Sequence, residues 1–180
     1  GNVFISGSEI LKKIVMKMYK FSLSHSKLVW FTNHSDQDMF VNNNIINRER
    51  TGIVPGSGVD TLHFFPLNTN TNNNKFIFLM IARLQKPKGI YEYLESAKLL
   101  KLKISHEVEF QVLGGIDSHN PDALSLDEIL EFHNQGIINY LGETDNVKDY
   151  IDNSDCVVLP SYREGLSTTL VEAASMKKPL

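Results

Sequence analysis

Two glutamates near the end of the chain have the type and position to bind a ligand rich in hydroxyl groups. They lie in the stretch Cys-Val-Val-Leu-Pro-Ser-Tyr-Arg-Glu-Gly-Leu-Ser-Thr-Thr-Leu-Val-Glu-Ala-Ala-Ser-Met, which runs from Cys156 to Met176. An ionised carboxylate accepts hydrogen bonds through both of its oxygens. Glu164 and Glu172 could therefore hold the hydroxyl groups of a sugar if the fold brings them to one site.

This stretch is predicted to form a strand, a turn and a helix. Cys156–Leu159 is a short apolar run closed by a proline, typical of a strand buried on both faces of a parallel sheet. The helix is expected to begin near Leu166 or Ser167, because a run of three hydroxyl side chains starts there. Glu164 would then lie at the carboxyl end of a strand, and Glu172 one to two turns into the helix. Open α/β sheets bind ligands at that edge.

The start of the predicted helix would also offer an anion site. Backbone N–H groups in a first helical turn have no partner within the helix, and they carry the positive end of its dipole. Those of Gly165, Leu166 and Ser167 are expected to face the anion. Together with two carboxylates, they fit a phosphorylated sugar.

A purely structural interpretation competes with this one. Both Ser161-x-x-Glu164 and Thr169-x-x-Glu172 match the capping-box pattern. In a capping box the glutamate only satisfies a backbone N–H at the start of a helix. The spacing of the residues does not decide between a cap and a ligand contact.

The amino-acid sequence of this stretch resembles that of a known protein family. Leu-Pro-Ser-Tyr-Arg-Glu-Gly-Leu followed by Leu-Val-Glu-Ala is similar to the signature of retaining glycosyltransferase family four. Its members have the GT-B fold and carry two glutamates separated by seven residues, the places that Glu164 and Glu172 fill. Similar segments occur upstream in the order of the family, at Pro55–Asp60, Ala82–Leu84, Lys88-Gly89 and Leu141-Gly142.

The resemblance implies roles for particular residues. Arg83 and Lys88 would contact the donor diphosphate and stabilise the charge that grows as the glycosidic bond breaks. A guanidinium offers a fork of donors and an ammonium a compact charge, which suits both to phosphate. Glu164 would contact the donor sugar without acting as a covalent nucleophile, and Glu172 would hold the ribose hydroxyls.

Two strand ends are further candidates for substrate binding. Gly114-Gly115 closes a predicted strand and is weak evidence for a phosphate loop. Leu141 lies where family members place backbone around the nucleobase, and a plain strand end is the alternative.

The implied reaction is transfer of a hexose or N-acetylhexosamine from a nucleotide diphosphate sugar, with a uridine donor expected. The configuration at the anomeric carbon would be retained, and neither a metal nor another cofactor would be needed. The acceptor would be a saccharide or a polyprenyl-linked saccharide. The sequence of the stretch most resembles those of enzymes that build bacterial surface polysaccharides, such as capsule and lipopolysaccharide. Two alternatives are a non-catalytic nucleotide-sugar-binding module and a flavodoxin-like regulatory domain. The regulatory domain would need an acidic cluster where this chain has Arg83 and Lys88.

Alternating strand and helix patterns predict an α/β fold with a doubly wound parallel sheet, Rossmann-like and truncated at both ends. Residues 68–74 are expected to form a polar loop. The predicted strands are Phe76–Ile81, Val108–Leu113 and Ile137–Leu141 before the final one, and the predicted helices are Gly89–Lys101, Ser125–Asn134 and Val147–Asn153.

The resemblance and the length of 180 residues predict two parts. Residues 1–62 are expected to be the tail of an amino-terminal acceptor domain together with the interdomain crossing. Residues 63–180 are expected to be the carboxy-terminal nucleotide-sugar-binding domain, incomplete at its end. We therefore expect a chain of this extent to bind donor, to transfer nothing and to self-associate.

Composition narrows the class of partners. The net charge of -3 argues against nucleic acid, which needs a surplus of Lys and Arg. Cys156 is the single cysteine, and the six His residues lack metal-ligand spacing, so neither a disulfide framework nor a metal site is indicated. Without an apolar run of about 18 residues or a signal peptide pattern, the protein is expected in the cytoplasm.

The segment from Ser8 to Ser26 predicts a basic amphipathic helix. Such a helix can lie on an anionic membrane, which would give peripheral contact with its inner face. The alternative is a surface helix of the acceptor domain with solvated lysines.

Overall fold

The computed structural model of the chain describes residues 8–67, 75–104 and 107–180. The chain divides into two compact units, the first ending at Ser57 and the second beginning at Gly58. This division falls within the Gly-rich segment 55–60 that is expected to join two domains. The assignment of residues 1–62 and 63–180 to an acceptor and a donor domain stays a prediction. The loop predicted at residues 68–74 lies outside the described residues.

The described part of the first unit consists of helices and a small parallel sheet. Helix α1 (Glu9–Ser22) begins after Ser8, whose hydroxyl accepts a hydrogen bond from a first-turn N–H. Strand β1 (Val29–Phe31) pairs with β2 (Thr51–Ile53), and between them the chain forms α2 (His34–Asn42) and a 3₁₀ turn at Arg48–Arg50. Helix α1 ends at Ser22 rather than at the predicted Ser26.

The second unit contains a four-stranded parallel sheet with the order β5-β4-β3-β6. Strands and helices alternate along the chain as predicted, with a 3₁₀ turn at Lys86–Lys88. The strands are β3 (Phe76–Ile81), β4 (Val108–Leu113), β5 (Asn139–Tyr140) and β6 (Cys156–Val157). The helices are α3 (Ile90–Lys103), α4 (Leu126–Asn134), α5 (Val147–Asn153) and α6 (Thr168–Ser175).

Helices pack on both faces of this sheet, because successive side chains of a strand point to opposite faces. On one face, Met80 of β3 packs with Leu94 of α3 and Ile129 of α4. On the other, the neighbouring Leu79 packs with Ile151 of α5 and with α6. The doubly wound α/β class is therefore confirmed.

Two predicted strands are longer than the observed ones. The strand predicted at Ile137–Leu141 is observed only at Asn139–Tyr140. It starts later because the N–H of Ile137 donates to the carbonyl of Phe132 and closes the end of α4 instead. The strand predicted at Cys156–Leu159 is observed only at Cys156–Val157. Its last sheet hydrogen bond comes from Val158, and the proline that follows has no N–H with which to continue.

Helix length decides whether any described element could cross a bilayer. Among residues 8–67, 75–104 and 107–180, no helix is long and apolar enough to do so.

Tyr93 ties α3 to the sheet. Its hydroxyl lies 2.9 Å from the carbonyl oxygen of Phe78 and 3.0 Å from that of Gln111, so one buried hydrogen is shared between β3 and β4. Burial raises the pKa of this hydroxyl, which keeps it protonated. It is therefore a hydrogen-bond donor at neutral pH.

We predict that Tyr93→Phe lowers the free energy of unfolding by about 1–2 kcal/mol, the usual worth of a buried hydrogen bond. Chemical denaturation measures this loss. Tyr91→Phe is the matched control, because Tyr91 is on the same helix and its less buried hydroxyl bonds to Glu128. Unchanged stability of Tyr93→Phe would show that the shared hydrogen bond adds nothing to the free energy of unfolding.

Candidate active site

A cavity of about 270 Å³ opens where β3 and β6 end. The two strands are parallel neighbours, so the loops that follow them leave the same edge of the sheet. The loop after β3 supplies two cations to the cavity, and the loop after β6 supplies one carboxylate and the start of a helix. The lining residues are Ile81, Ala82, Arg83, Lys88, Leu159, Glu164, Leu166, Ser167, Thr168 and Thr169.

The two loops meet in an ion pair within this cavity. The ammonium Nζ of Lys88 lies 2.6 Å from Oε1 of Glu164, and each side chain is 26% exposed. The hydroxyl of Ser161 donates to the same oxygen over 2.6 Å. Burial tends to raise the pKa of Glu164, but the hydrogen bonds from Lys88 and Ser161 outweigh it and hold the pKa below its ordinary value. Glu164 is therefore ionised at neutral pH.

The capping interpretation is wrong for both glutamates. Helix α6 begins at Thr168, and its cap is Ser167, whose hydroxyl accepts from the N–H of Leu170. Ser161 and Glu164 do form a hydrogen bond, but they lie in a loop ahead of this helix. Glu172 lies inside the helix, beyond the position that a capping box would use.

The helix also begins later than predicted, which shifts the groups that face the cavity. Leu166 and Ser167 line it as expected, whereas Gly165 is not among the lining residues. Thr168 and Thr169 line it in addition, and sequence reasoning missed them as site residues. The signal was present, because three successive hydroxyl side chains exceed what one cap needs.

The loop after β3 is held firmly at its base. Leu84 is fully buried, and its N–H donates to the carbonyl of Gly115 over 3.1 Å. The preceding residue, Arg83, is exposed at the wall of the cavity, where its guanidinium can meet a ligand. The structure thus brings Arg83 together with Lys88 and Glu164, as the sequence predicts for a diphosphate and its sugar.

Glu172 is not among the residues that line this cavity. It is partly buried on α6, and burial raises the pKa of its carboxyl, while the nearby His63 opposes this shift. The segment that carries His63 is attached to the same helix, because Ser175 donates to the carbonyl of Phe64 over 2.6 Å. Sequence reasoning gave no sign of His63, since the residues that meet here are far apart in the chain.

Gly114 and Leu141 lie at the ends of β4 and β5 and are also absent from the cavity lining. The N–H of Gly114 donates to the carbonyl of Gly142 over 2.7 Å, and the hydroxyl of Tyr140 donates to the carbonyl of Gly114 over 3.1 Å. A side chain at Gly114 would overlap the carbonyl of Ala82. This glycine therefore permits close packing of strand ends, and a nucleobase contact at Gly114 or Leu141 stays a prediction.

The fold and this cavity define a class of protein. A doubly wound sheet that gathers cations, a carboxylate and a helix start at its carboxyl edge has the arrangement that suits a phosphorylated ligand. Residues 65–180 match the sequence pattern of the family described as glycosyl transferases group 1. This match covers more than half of the chain, which belongs to that family.

Similar proteins agree with this assignment. The chain is 30% identical to N,N'-diacetylbacillosaminyl-diphospho-undecaprenol alpha-1,3-N-acetylgalactosaminyltransferase of Campylobacter jejuni, over 96% of the chain and 46% of that protein. It is 27% identical to the capsular polysaccharide biosynthesis glycosyltransferase CapM of Staphylococcus aureus, over 60% of the chain and 28% of that protein. The chain spans less than half the length of these relatives.

A solved structure supports the fold. HepE of Anabaena, determined in complex with UDP and glucose, superimposes with a TM-score of 0.70 at 19% identity. The match covers 96% of this chain and 47% of HepE. The GT-B assignment made from the sequence is confirmed.

Gly89 sets the distance between the two loops of the cavity. Its φ is +76°, and a β-carbon built there would lie within 2.8 Å of three atoms of Pro160. Gly136 has a similar φ of +68°, but a β-carbon there would meet nothing within 4 Å. The two glycines share a backbone conformation and differ in their surroundings.

We predict that Gly136→Ala lowers the free energy of unfolding by about 1–2 kcal/mol, the cost of a left-handed conformation. Gly89→Ala should lower it by about 1–3 kcal/mol more, because the methyl group overlaps the backbone of Pro160. Urea denaturation of the two variants compares them directly. Equal losses would show that the contact with Pro160 is unimportant.

Proposed function

We propose that this chain binds the nucleotide diphosphate sugar donor of a glycosyltransferase. The sugar is a hexose or N-acetylhexosamine, and the expected base is uracil. The observation that carries the proposal is the convergence of Arg83, Lys88 and Glu164 on one cavity at the carboxyl edge of a doubly wound sheet.

In the reaction we propose, the catalytic groups act on the leaving group. Arg83 and Lys88 stabilise the negative charge that develops on the diphosphate as the bond to the anomeric carbon breaks. Glu164 binds hydroxyls of the transferred sugar, and transfer proceeds with retention. The two cations supply the charge for which other enzymes use a metal ion, so we propose that none is required. The anomeric configuration of the product, read by nuclear magnetic resonance, tests retention.

We propose that the nucleoside lies beyond the cavity, toward β5 and α6. Leu170 of α6 and Leu141, which follows β5, both pack against the apolar cluster on the same face of the sheet. Glu172 would hold the ribose hydroxyls, and the backbone near Gly114 and Leu141 would border the base. A crystal structure with UDP would test this placement.

The acceptor is proposed from the printed name of a relative. The Campylobacter jejuni relative acts on a sugar linked to diphospho-undecaprenol, and CapM belongs to capsule biosynthesis. We propose a saccharide or polyprenyl-linked saccharide acceptor for the protein to which this chain corresponds. A radiolabelled donor offered to polyprenyl-linked sugars tests this.

A non-catalytic binding module is the second candidate, because the cavity alone does not show turnover. The described part of the first unit offers one two-stranded sheet, which is little with which to hold an acceptor. We therefore propose that a polypeptide of these 180 residues binds donor, transfers nothing and associates weakly with itself. A transfer assay and gel filtration at several concentrations test these proposals.

Peripheral membrane contact is proposed for α1. None of its residues is buried, and its large apolar side chains include Ile10, Ile14 and Met18, all more than half exposed. Lys13 and Lys17 flank them, which suits an anionic lipid surface. Flotation with vesicles that contain an anionic lipid, compared with neutral vesicles, tests this contact.

We predict that Arg83→Ala weakens UDP binding by about 1.5–3 kcal/mol, the usual worth of a hydrogen bond between charged groups. Binding of uridine should hardly change, since it has no phosphate. Calorimetric titration measures both ligands. Lys86→Ala is the matched control, because Lys86 is an exposed cation of the same loop and is not among the residues lining the cavity. Equal losses for UDP and uridine would show that Arg83 acts through the fold.

A second prediction concerns the pH dependence of UDP binding. Only ionised Glu172 accepts both ribose hydroxyls, and burial raises its pKa above the ordinary value of 4.5. The affinity of the wild type should therefore rise with pH through this raised pKa. The stability contributed by Glu172 should fall over the same range, because the folded state holds the proton more tightly than the unfolded state.

Glu172→Gln should remove both pH dependences and weaken UDP binding at neutral pH without lowering the melting temperature. Wild type and variant are titrated at the same pH values, so that the ionisation of UDP affects both affinities equally and drops out of their ratio. Unchanged affinity in the variant would exclude the ribose role.

A further inference from the structure

The cation and the carboxylate that the donor needs are already bound to each other. Lys88 and Glu164 form an ion pair 2.6 Å long, and both side chains line the cavity proposed for the donor. A diphosphate that enters this cavity must draw Lys88 toward itself. It must also come close to the ionised Glu164, which repels it.

The carboxylate is held on this cation by more than charge. Ser161 donates a second hydrogen bond to the same oxygen of Glu164. The hydrogen bonds from Lys88 and Ser161 keep the pKa of Glu164 below its ordinary value, so protonation does not release Lys88 near neutral pH. An arriving anion therefore meets an occupied cation.

The loops that carry the pair are fixed to each other outside the cavity. The N–H of Tyr162 donates to the carbonyl of Pro87 over 3.1 Å, and the hydroxyl of Tyr162 donates to Glu92 of α3. The pair can thus open by rotation of its two long side chains while the backbone of both loops stays in place. Opening exposes the ammonium to the ligand and frees the carboxylate for sugar hydroxyls.

We propose that Glu164 is an internal competitor of the diphosphate for Lys88, so that it lowers the affinity of this site for a free nucleoside diphosphate. This inference rests on the proposed function and adds a specificity role to Glu164. A sugar-bearing donor gives the released carboxylate new hydrogen bonds from its hydroxyls, whereas the free diphosphate product gives none. The ion pair therefore favours the donor over the spent nucleotide and re-forms as the product leaves.

The test is a double-mutant cycle between Lys88 and Glu164, read by calorimetric titration of the 180-residue chain at one fixed pH. The ligands are UDP and inorganic pyrophosphate, and the second probes the anion without any base. We expect Glu164→Gln to bind both ligands about two- to fivefold more tightly than the wild type, the range that a partly exposed ion pair allows. Lys88→Met should weaken binding by a larger factor in the Glu164→Gln background than in the wild type.

The sign of each effect separates competition from the alternatives. If Glu164 merely orients Lys88, Glu164→Gln weakens binding and the inference is overturned. If Glu164 only repels the anion, Glu164→Gln raises the affinity by the same factor with Lys88 present and in the Lys88→Met background. That result would also overturn the inference. Glu95→Gln is the matched control, because it removes an exposed carboxylate of α3 that is not among the residues lining the cavity, and it should change neither affinity.

The proposed function and this inference fail in different ways. If neither the wild type nor Glu164→Gln binds UDP or pyrophosphate, the donor site itself is wrong. If both bind with equal affinity, the donor site stands and only the competition is excluded. Melting temperatures of all variants identify any that fail to fold, and in that case Glu164→Ser supplies the same loss of charge.

Discussion

The parallel pairing of β3 with β6 is the constraint on which the candidate site depends. The pairing is short, with Phe78 opposite Cys156 and Leu79 opposite Val157. It nevertheless brings together two loops that are distant in the sequence and sets them at the same edge of the sheet. The ion pair between Lys88 and Glu164 is a direct product of this pairing. A change that shifted the register of β6 would separate the cations from the carboxylate.

The two glutamates of the family motif are held in opposite electrostatic environments. Hydrogen bonds from Lys88 and Ser161 lower the pKa of Glu164, whereas burial raises that of Glu172 against the opposing effect of His63. A carboxylate already engaged with a cation must be released before it binds a sugar. A carboxylate held in a partly buried position is instead available for neutral hydroxyl donors. The proposed roles of the two glutamates, one toward the sugar and one toward the ribose, match this difference.

Much of this arrangement follows from the sequence. A continuous apolar run predicted β3, the regular α/β pattern predicted β4, and both strands have the predicted bounds. The alternation of elements predicted a doubly wound sheet. The convergence of Arg83, Lys88 and Glu164 followed from their places after strands of such a sheet. Short strands were less predictable, because the length of β5 depends on a hydrogen bond that ends the preceding helix.

Side-chain partnerships across the fold could not be predicted. The pairing of Lys88 with Glu164 depends on the order of strands in space, which periodicity does not give. The role of Gly89 is similar, because its contact with Pro160 exists only once the two loops are adjacent. The start of α6 depended on which of three hydroxyl side chains acts as the cap, and Ser167 does so. In each case several partners or positions are equally compatible with the local sequence, and tertiary packing determines which of them is used.

The central claim is that the carboxyl edge of this sheet binds the diphosphate of a nucleotide sugar. Its most direct test is calorimetric titration of the 180-residue chain with UDP, GDP and ADP. One molecule of nucleoside diphosphate should bind per chain, and UDP should bind most tightly. Absence of heat with all three nucleotides, from a chain that unfolds cooperatively, would contradict it.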